Sequence, residues 1–174
     1  MHRLIHLKTI CTFALLLLVV FACKPTGSRE PTDVKSADGK FQITVPDGWK
    51  PMGGSGTTNE IINSENSRLD LGVIVTAKKK SELDDGLTLD KYTEIGRDAQ
   101  VKDSNTKNVS QPEPVGFDGY EARQYEVTRE KAICLITAIE SPENFHRVTA
   151  CGPAASYSEN KAALKKISES FRAL

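Results

Sequence analysis

The chain has 174 residues, with 23 Lys+Arg against 23 Asp+Glu, 39% hydrophobic and 6% aromatic residues. These values describe one ordinary globular domain, too apolar for disorder and too short for two comfortable cores. A net charge near zero supplies no surplus of cations to displace counterions from a phosphate backbone, and no basic cluster is interleaved with aromatics, which argues against nucleic acid as a partner.

The apolar density is uneven. Residues 1–9 carry Arg3 and Lys8 without an acid, and residues 10–22 then read ICTFALLLLVVFA. A charged start followed by an apolar run shorter than the roughly 20 residues of a spanning helix predicts a removable export signal over residues 1–22. At its end stand Val20-Phe21-Ala22-Cys23, with an aliphatic residue at −3, a small one at −1 and Cys at +1. This resembles the lipobox of bacterial lipoproteins, with Phe21 where a small residue is usual. The resemblance implies that the Cys23 sulfur takes a diacylglycerol and the freed amine a fatty acyl chain such as palmitate. An uncleaved signal anchor is the alternative. It is disfavoured by the polar, helix-breaking Lys24-Pro25-Thr26-Gly27-Ser28 that follows at once. Residues 23–31 then form a lipidated tether, and several acyl chains at about 0.8 kcal/mol per buried methylene make a stable anchor. Extended, the tether reaches no more than about 30 Å, so residues 32–174 should fold close to a membrane surface.

In chain order, Thr32 to Ser36 and Phe41 to Val45 flank Asp38-Gly39, a strong hairpin signal, with Phe41, Ile43 and Val45 on one face. Pro46 stops the second strand and Asp47-Gly48 turns the chain into Trp49. Met52 to Thr58 is a glycine-rich loop, followed by strands over Glu60 to Ser64 and Leu69 to Ala77, the latter alternating around Leu71, Val73 and Val75. After the charged connection Lys78 to Gly86, Thr88 caps a helix from Leu89 to about Val101, with Leu89, Tyr92, Ile95 and Ala99 on its apolar stripe. Strand pieces at Asn108 to Gln111 and Val115 to Phe117 are interrupted by Pro112 and Pro114, and Asp118-Gly119 turns into a strand over Tyr120 to Val127. Ala132 to Glu140 and Phe145 to Cys151 form a hairpin. The last helix opens on Ser156 and Glu159, spaced as a capping box, and its stripe is Leu164, Ile167 and Phe171 with Ala163 on the same side. Because Ala132 to Ile139 is apolar at both alternating sets, the central strands should be covered on both faces. The predicted class is α+β, an α/β/α sandwich with a mostly antiparallel sheet.

The run Phe41-Gln42-Ile43-Thr44-Val45-Pro46-Asp47-Gly48-Trp49 resembles the F-x-I-x-V-P-x-G-W opening of the PsbP-like superfamily, which includes DcrB-like envelope lipoproteins. Gly119-Tyr120-Glu121-Ala122 before a long hairpin and the closing Ser170-Phe171 are similar too. The resemblance spans residue 32 to the end and implies an α/β/α sandwich over 32–174. It implies no single reaction and carries no functional residue onto this chain.

The residues leave little room for catalysis. His2 and His6 leave with the export signal, so a Ser-His-Asp or Cys-His arrangement would have to be built on His146, and a multi-histidine zinc site within one chain is excluded. His146 lies in a predicted strand beside a tight turn and reads as a half-exposed sheet residue. No catalytic residue, metal or cofactor is assigned. With Cys11 removed and Cys23 given to lipid, Cys134 and Cys151 are left. Pairing Ser141 with Asn144 sets Cys134 directly opposite Cys151, and an oxidising compartment favours a disulfide over two buried thiols. Gly53-Gly54-Ser55-Gly56 lacks the Lys-Ser/Thr of a phosphate-binding loop and reads as a plain loop. Lys78-Lys79-Lys80 followed by Glu82, Asp84 and Asp85 reads as a solvated segment with compensating charges rather than a headgroup-binding patch. Trp49 reads as core, with the rim of a binding surface as the alternative.

The expected function is that of a bacterial cell-envelope lipoprotein, anchored by lipid to a membrane, the outer membrane first, on its periplasmic or surface side. It would bind or support a protein partner of unknown identity without catalysis. The alternatives are an envelope hydrolase using carboxylates or Ser with His146, and a small-ligand carrier, which needs an apolar pocket between sheet and helix.

Overall fold

The computed structural model describes residues 30–52, 61–117 and 119–174. The export signal, Cys23, the Gly53 to Gly56 loop and Asp118 lie outside the described residues. The elements run β1 (Thr32–Lys35), β2 (Phe41–Val45), β3 (Lys50–Pro51), β4 (Ile61–Asn66) and β5 (Leu71–Lys79), then a 3₁₀ turn at Lys80–Glu82 and helix α1 (Leu89–Lys102). They continue with β6 (Thr106–Val109), β7 (Glu113–Phe117), β8 (Tyr120–Arg129), β9 (Ala132–Glu140), β10 (Asn144–Pro153), α2 (Tyr157–Glu169) and β11 (Arg172–Ala173).

Every strand pairing among these residues is antiparallel. An eight-stranded sheet runs β3-β4-β5-β10-β9-β8-β6, with β7 beside the other end of β8. Proline at β7 is tolerated because that strand lies on an edge and pairs only with β8. A second, three-stranded sheet joins the two ends of the domain in the order β1-β2-β11. Its hairpin turns at Gly39, whose φ of 72° suits a residue without Cβ.

Alternation along β9 and β10 separates the two covered faces. Ala138 and Phe145 pack with Leu89 of α1, whereas Ile139, Val148 and Ala150 pack with Leu164 and Ile167 of α2 and with Phe41 and Ile43 of β2. One helix therefore lies on each face of the main sheet, which makes the α+β sandwich. Residues Cys134 through Ile139 are buried without a break, as two-sided covering requires.

Three local expectations are corrected. On α1 the buried residues are Leu89 and Thr93, while Ile95 is 53% exposed and Ala99 is exposed as well. The helix sits so close to Tyr125 of β8 that a Cβ at Gly96 would stand 3.4 Å from its hydroxyl; Thr93 is buried and the larger Ile95 is turned outward. At α2, Ser156 makes no side-chain capping bond, because its backbone lies at φ −117°, ψ 7° rather than in the extended region that aims the hydroxyl at the first turn. The Asn160 side-chain amide instead donates to the Ser156 carbonyl at 2.9 Å. Ala163 is exposed, and Ser168 joins Leu164 and Ile167 on the buried face. The Thr88 cap does form, its hydroxyl accepting from Lys91 N–H at 3.3 Å.

Gly152 marks a close approach between neighbouring strands, one residue beyond the Cys151–Gly72 pair of β10 and β5. A Cβ there would stand 2.7 Å from Leu71 Cδ2, well inside van der Waals contact. Gly152→Ala is expected to destabilise the domain by about 1–3 kcal/mol through overpacking. An unchanged urea midpoint would show that Leu71 yields without cost.

Candidate functional site

His146 projects from β10 onto the α2 face beside Val148 and Ala150. It is 1% exposed, with its ring centroid 5.2 Å from that of Phe41 and 4.7 Å from that of Phe171. The expectation of a half-exposed residue is thus overturned. The strand end is sealed by β2 from the start of the domain and by Phe171 from its end, a closure that the sequence around residue 146 does not announce. The Ser141 hydroxyl accepts from Asn144 N–H at 3.2 Å and donates to the Asn144 carbonyl at 3.1 Å, which braces the β9–β10 turn. His146 Nε2 lies 3.0 Å from the same oxygen, in a hydrogen bond whose donor is set by the imidazole tautomer. His146 Nδ1 is buried without a partner among the described residues.

Burial pushes the His146 pKa down to about 4, against the smaller opposing pull of the Asp38 carboxylate. A serine nucleophile needs a carboxylate orienting Nδ1, and here Nδ1 has no hydrogen-bond partner among the described residues. Asp38 is occupied instead by the β1–β2 turn, accepting from Ser36 Oγ at 2.6 Å and Lys40 N–H at 3.2 Å. A polar cleft of about 340 Å³ is lined by Ser141 and His146 together with Lys40, Tyr120 and Glu143, though His146 itself is 1% exposed. The Ser141–His146 pair is built as a turn clamp.

Cys134 and Cys151 face each other across β9 and β10 and form a disulfide, with Cα atoms 4.1 Å apart. Cys134 packs with Tyr125, Val127 and Ile136 under α1, while Cys151 is half-buried. Of the lysine run, Lys80 pairs with Glu140 at 2.6 Å and Lys79 with Glu82 at 3.5 Å, as compensating charges predict. Trp49 is half-buried against the main core. No group of three His, Cys, Asp or Glu residues is placed to hold a metal among the described residues.

A second concavity lies between α1 and the sheet, a half-open cavity of about 240 Å³. Leu83, Leu87, Ile136 and Ala138 form its apolar walls, and Tyr92, Tyr125, Arg147 and Lys78 bring polar ends to it. Tyr92 stacks on Phe145 at 4.8 Å between ring centroids. Burial raises the pKa of both phenols, only partly offset by the Arg147 charge, so at neutral pH each is a hydroxyl donor. Arg147 makes no hydrogen bond or ion pair with any described residue.

No family model matches the sequence, and no curated protein is similar to it in sequence. Solved structures are more informative. CyanoP, the cyanobacterial PsbP of Synechocystis, superposes with a TM-score of 0.59 at 15% identity, covering 89% of this chain and 99% of its own. The domain has the PsbP-like fold. LpqN of Mycobacterium tuberculosis, a protein involved in cell envelope biogenesis, gives a TM-score of 0.59 at 13% identity over 81% of this chain and 88% of its own. A Bacteroides thetaiotaomicron protein gives 0.52 at 10% identity over 84% of this chain, which spans 49% of that longer one.

Within this fold, the motif that carries the resemblance is architectural. Phe41, Ile43 and Val45 are buried, Pro46 ends β2, and Gly48 turns Trp49 onto the core. The cavity under α1 is of the kind the small-ligand-carrier alternative requires, but its lining residues were not assigned from the sequence. Its one sequence signal is Gly96, a helix-interior glycine whose propensity cost against alanine has no helical justification.

Proposed function

We propose that this chain is a lipid-anchored, non-catalytic protein of the bacterial cell envelope, whose PsbP-like domain is held near a membrane through Cys23 and binds an envelope protein. The non-catalytic reading rests on His146, sealed in the aromatic core with its hydroxyl neighbour committed to a turn and its Nδ1 free of any acid. Supporting the anchor, Val20-Phe21-Ala22-Cys23 resembles a lipobox, and Thr32 of β1 follows Cys23 by only a short tether. The envelope role of LpqN, which shares the fold, agrees with this reading.

A partner surface is suggested by the sheet. Helix α1 packs on β6, β8 and β9, and Ile74 of β5 projects from the remaining part of the sheet with 44% exposure. Photocrosslinking from Ile74 in cells is expected to yield a discrete protein adduct. Absence of any adduct, together with hydrolysis of a substrate that is lost in His146→Ala, would replace binding by the hydrolase reading. For the anchor, Cys23→Ser should yield soluble or unprocessed protein in fractionated cells, and unchanged membrane retention with normal maturation would rule out lipidation at Cys23.

A further inference from the structure

We propose that the cavity beneath α1 is a binding site for an amphipathic carboxylate of medium chain length, its tail between α1 and the sheet and its head on Arg147. The inference goes beyond partner binding and stands without it. Four observations carry it. The charges that line the cavity are Lys78 and Arg147, with no carboxylate among the lining residues, in a chain of zero net charge. Arg147 has no hydrogen-bond or ion-pair partner among the described residues, so its planar guanidinium is available for the bidentate pairing that carboxylates favour. The hydroxyls of Tyr92 and Tyr125 line the same cavity as further donors.

The fourth observation is Gly96. A Cβ there would stand 3.4 Å from Tyr125 Oη and 3.9 Å from Arg147 Nη1, at the place where those two polar ends meet the helix. Glycine weakens a helix interior, and here it keeps the space beside the donors open. The volume of about 240 Å³ falls below the 300–1,000 Å³ usual for drug-sized ligands and has room for about eight water-sized groups at ~30 Å³ each. That suits a short acyl chain better than a bulky cofactor. The apolar walls remove the tail from water while the cations select the charged head.

The test is hydrogen–deuterium exchange of the full chain in nanodiscs, titrated with sodium octanoate or with octanol. Octanoate is expected to slow exchange of backbone amides in α1 and in β8 around Tyr125, with a half-effect concentration at least tenfold below that of octanol. Arg147→Leu should remove that tenfold preference and leave the octanol response unchanged. Gly96→Ala should protect α1 at least as well without ligand yet require more octanoate. Equal response to octanoate and octanol, an octanoate response indifferent to Arg147→Leu, or no protection by either compound would overturn the proposal. Should Arg147→Leu fail to fold, an octanoate response unaltered in Gly96→Ala would overturn it independently. A failed crosslink at Ile74 would leave all of these outcomes readable.

Discussion

Between pH 6.5 and pH 4 the folded domain is expected to lose about 3 kcal/mol of stability through His146 alone. The unfolded chain presents an ordinary imidazole that takes up its proton near 6.5, whereas the folded chain refuses it until about 4, because the ring lies between Phe41 and Phe171. Across that window the unfolded state binds more protons, so stability falls as pH falls. Above it both states are neutral, and below it both are charged and the loss is complete. Asp38 acts elsewhere: burial raises its carboxyl, but the bonds from Ser36 and Lys40 outweigh this and hold it below its ordinary 3.8, so its contribution is lost only at lower pH. His146→Leu should flatten the window. At neutral pH it should cost little, since Ser141 keeps both bonds to Asn144 and a buried nitrogen without a partner is removed. The measurement is the urea midpoint of wild type and variant at pH 7.5, 5.5 and 4.5. Parallel decline of the two would show that His146 is not the titrating group.

The same residue shows what the sequence made legible and what it did not. Strand pairing was readable because it is local. Asp38-Gly39 fixes one hairpin, and the Ser141 to Asn144 turn fixes the register of another, down to the opposition of Cys134 and Cys151. Two-sided burial of β9 was readable because its apolar run lacks alternation. The environment of His146 was not, since Phe41 and Phe171 reach it from opposite ends of the chain. The face of α1 was misjudged for a related reason. Periodicity favoured Ile95, but Thr93 is the buried residue and Gly96 stands against Tyr125 of a strand still to come in sequence. The cavity is a product of that fit, so Arg147 and the two tyrosines became a site only once α1 was seated on the sheet.

Reduction of the Cys134–Cys151 bond is expected to lower stability by about 3 kcal/mol, the loop-entropy value for a cross-link spanning 17 residues. The bond joins the two central strands of the sheet, so its main effect lies in the unfolded chain, which it keeps from exploring states with β9 and β10 apart. Two variables separate that effect from packing. Dithiothreitol breaks the link but leaves both sulfur atoms in place, whereas the Cys134→Ala, Cys151→Ala pair also empties part of the cluster around Tyr125, Val127 and Ile136. The double variant should therefore be somewhat less stable than the reduced wild type, and its midpoint should ignore reductant. Reduction should also increase the denaturant dependence, because the released unfolded chain exposes more surface. The half-buried Cys151 gives reductant its approach, since Cys134 is only 3% exposed. Coincident urea curves with and without dithiothreitol would mean that the cross-link contributes nothing to the fold. In an oxidising compartment the cross-link would instead stay closed and hold β9 against β10.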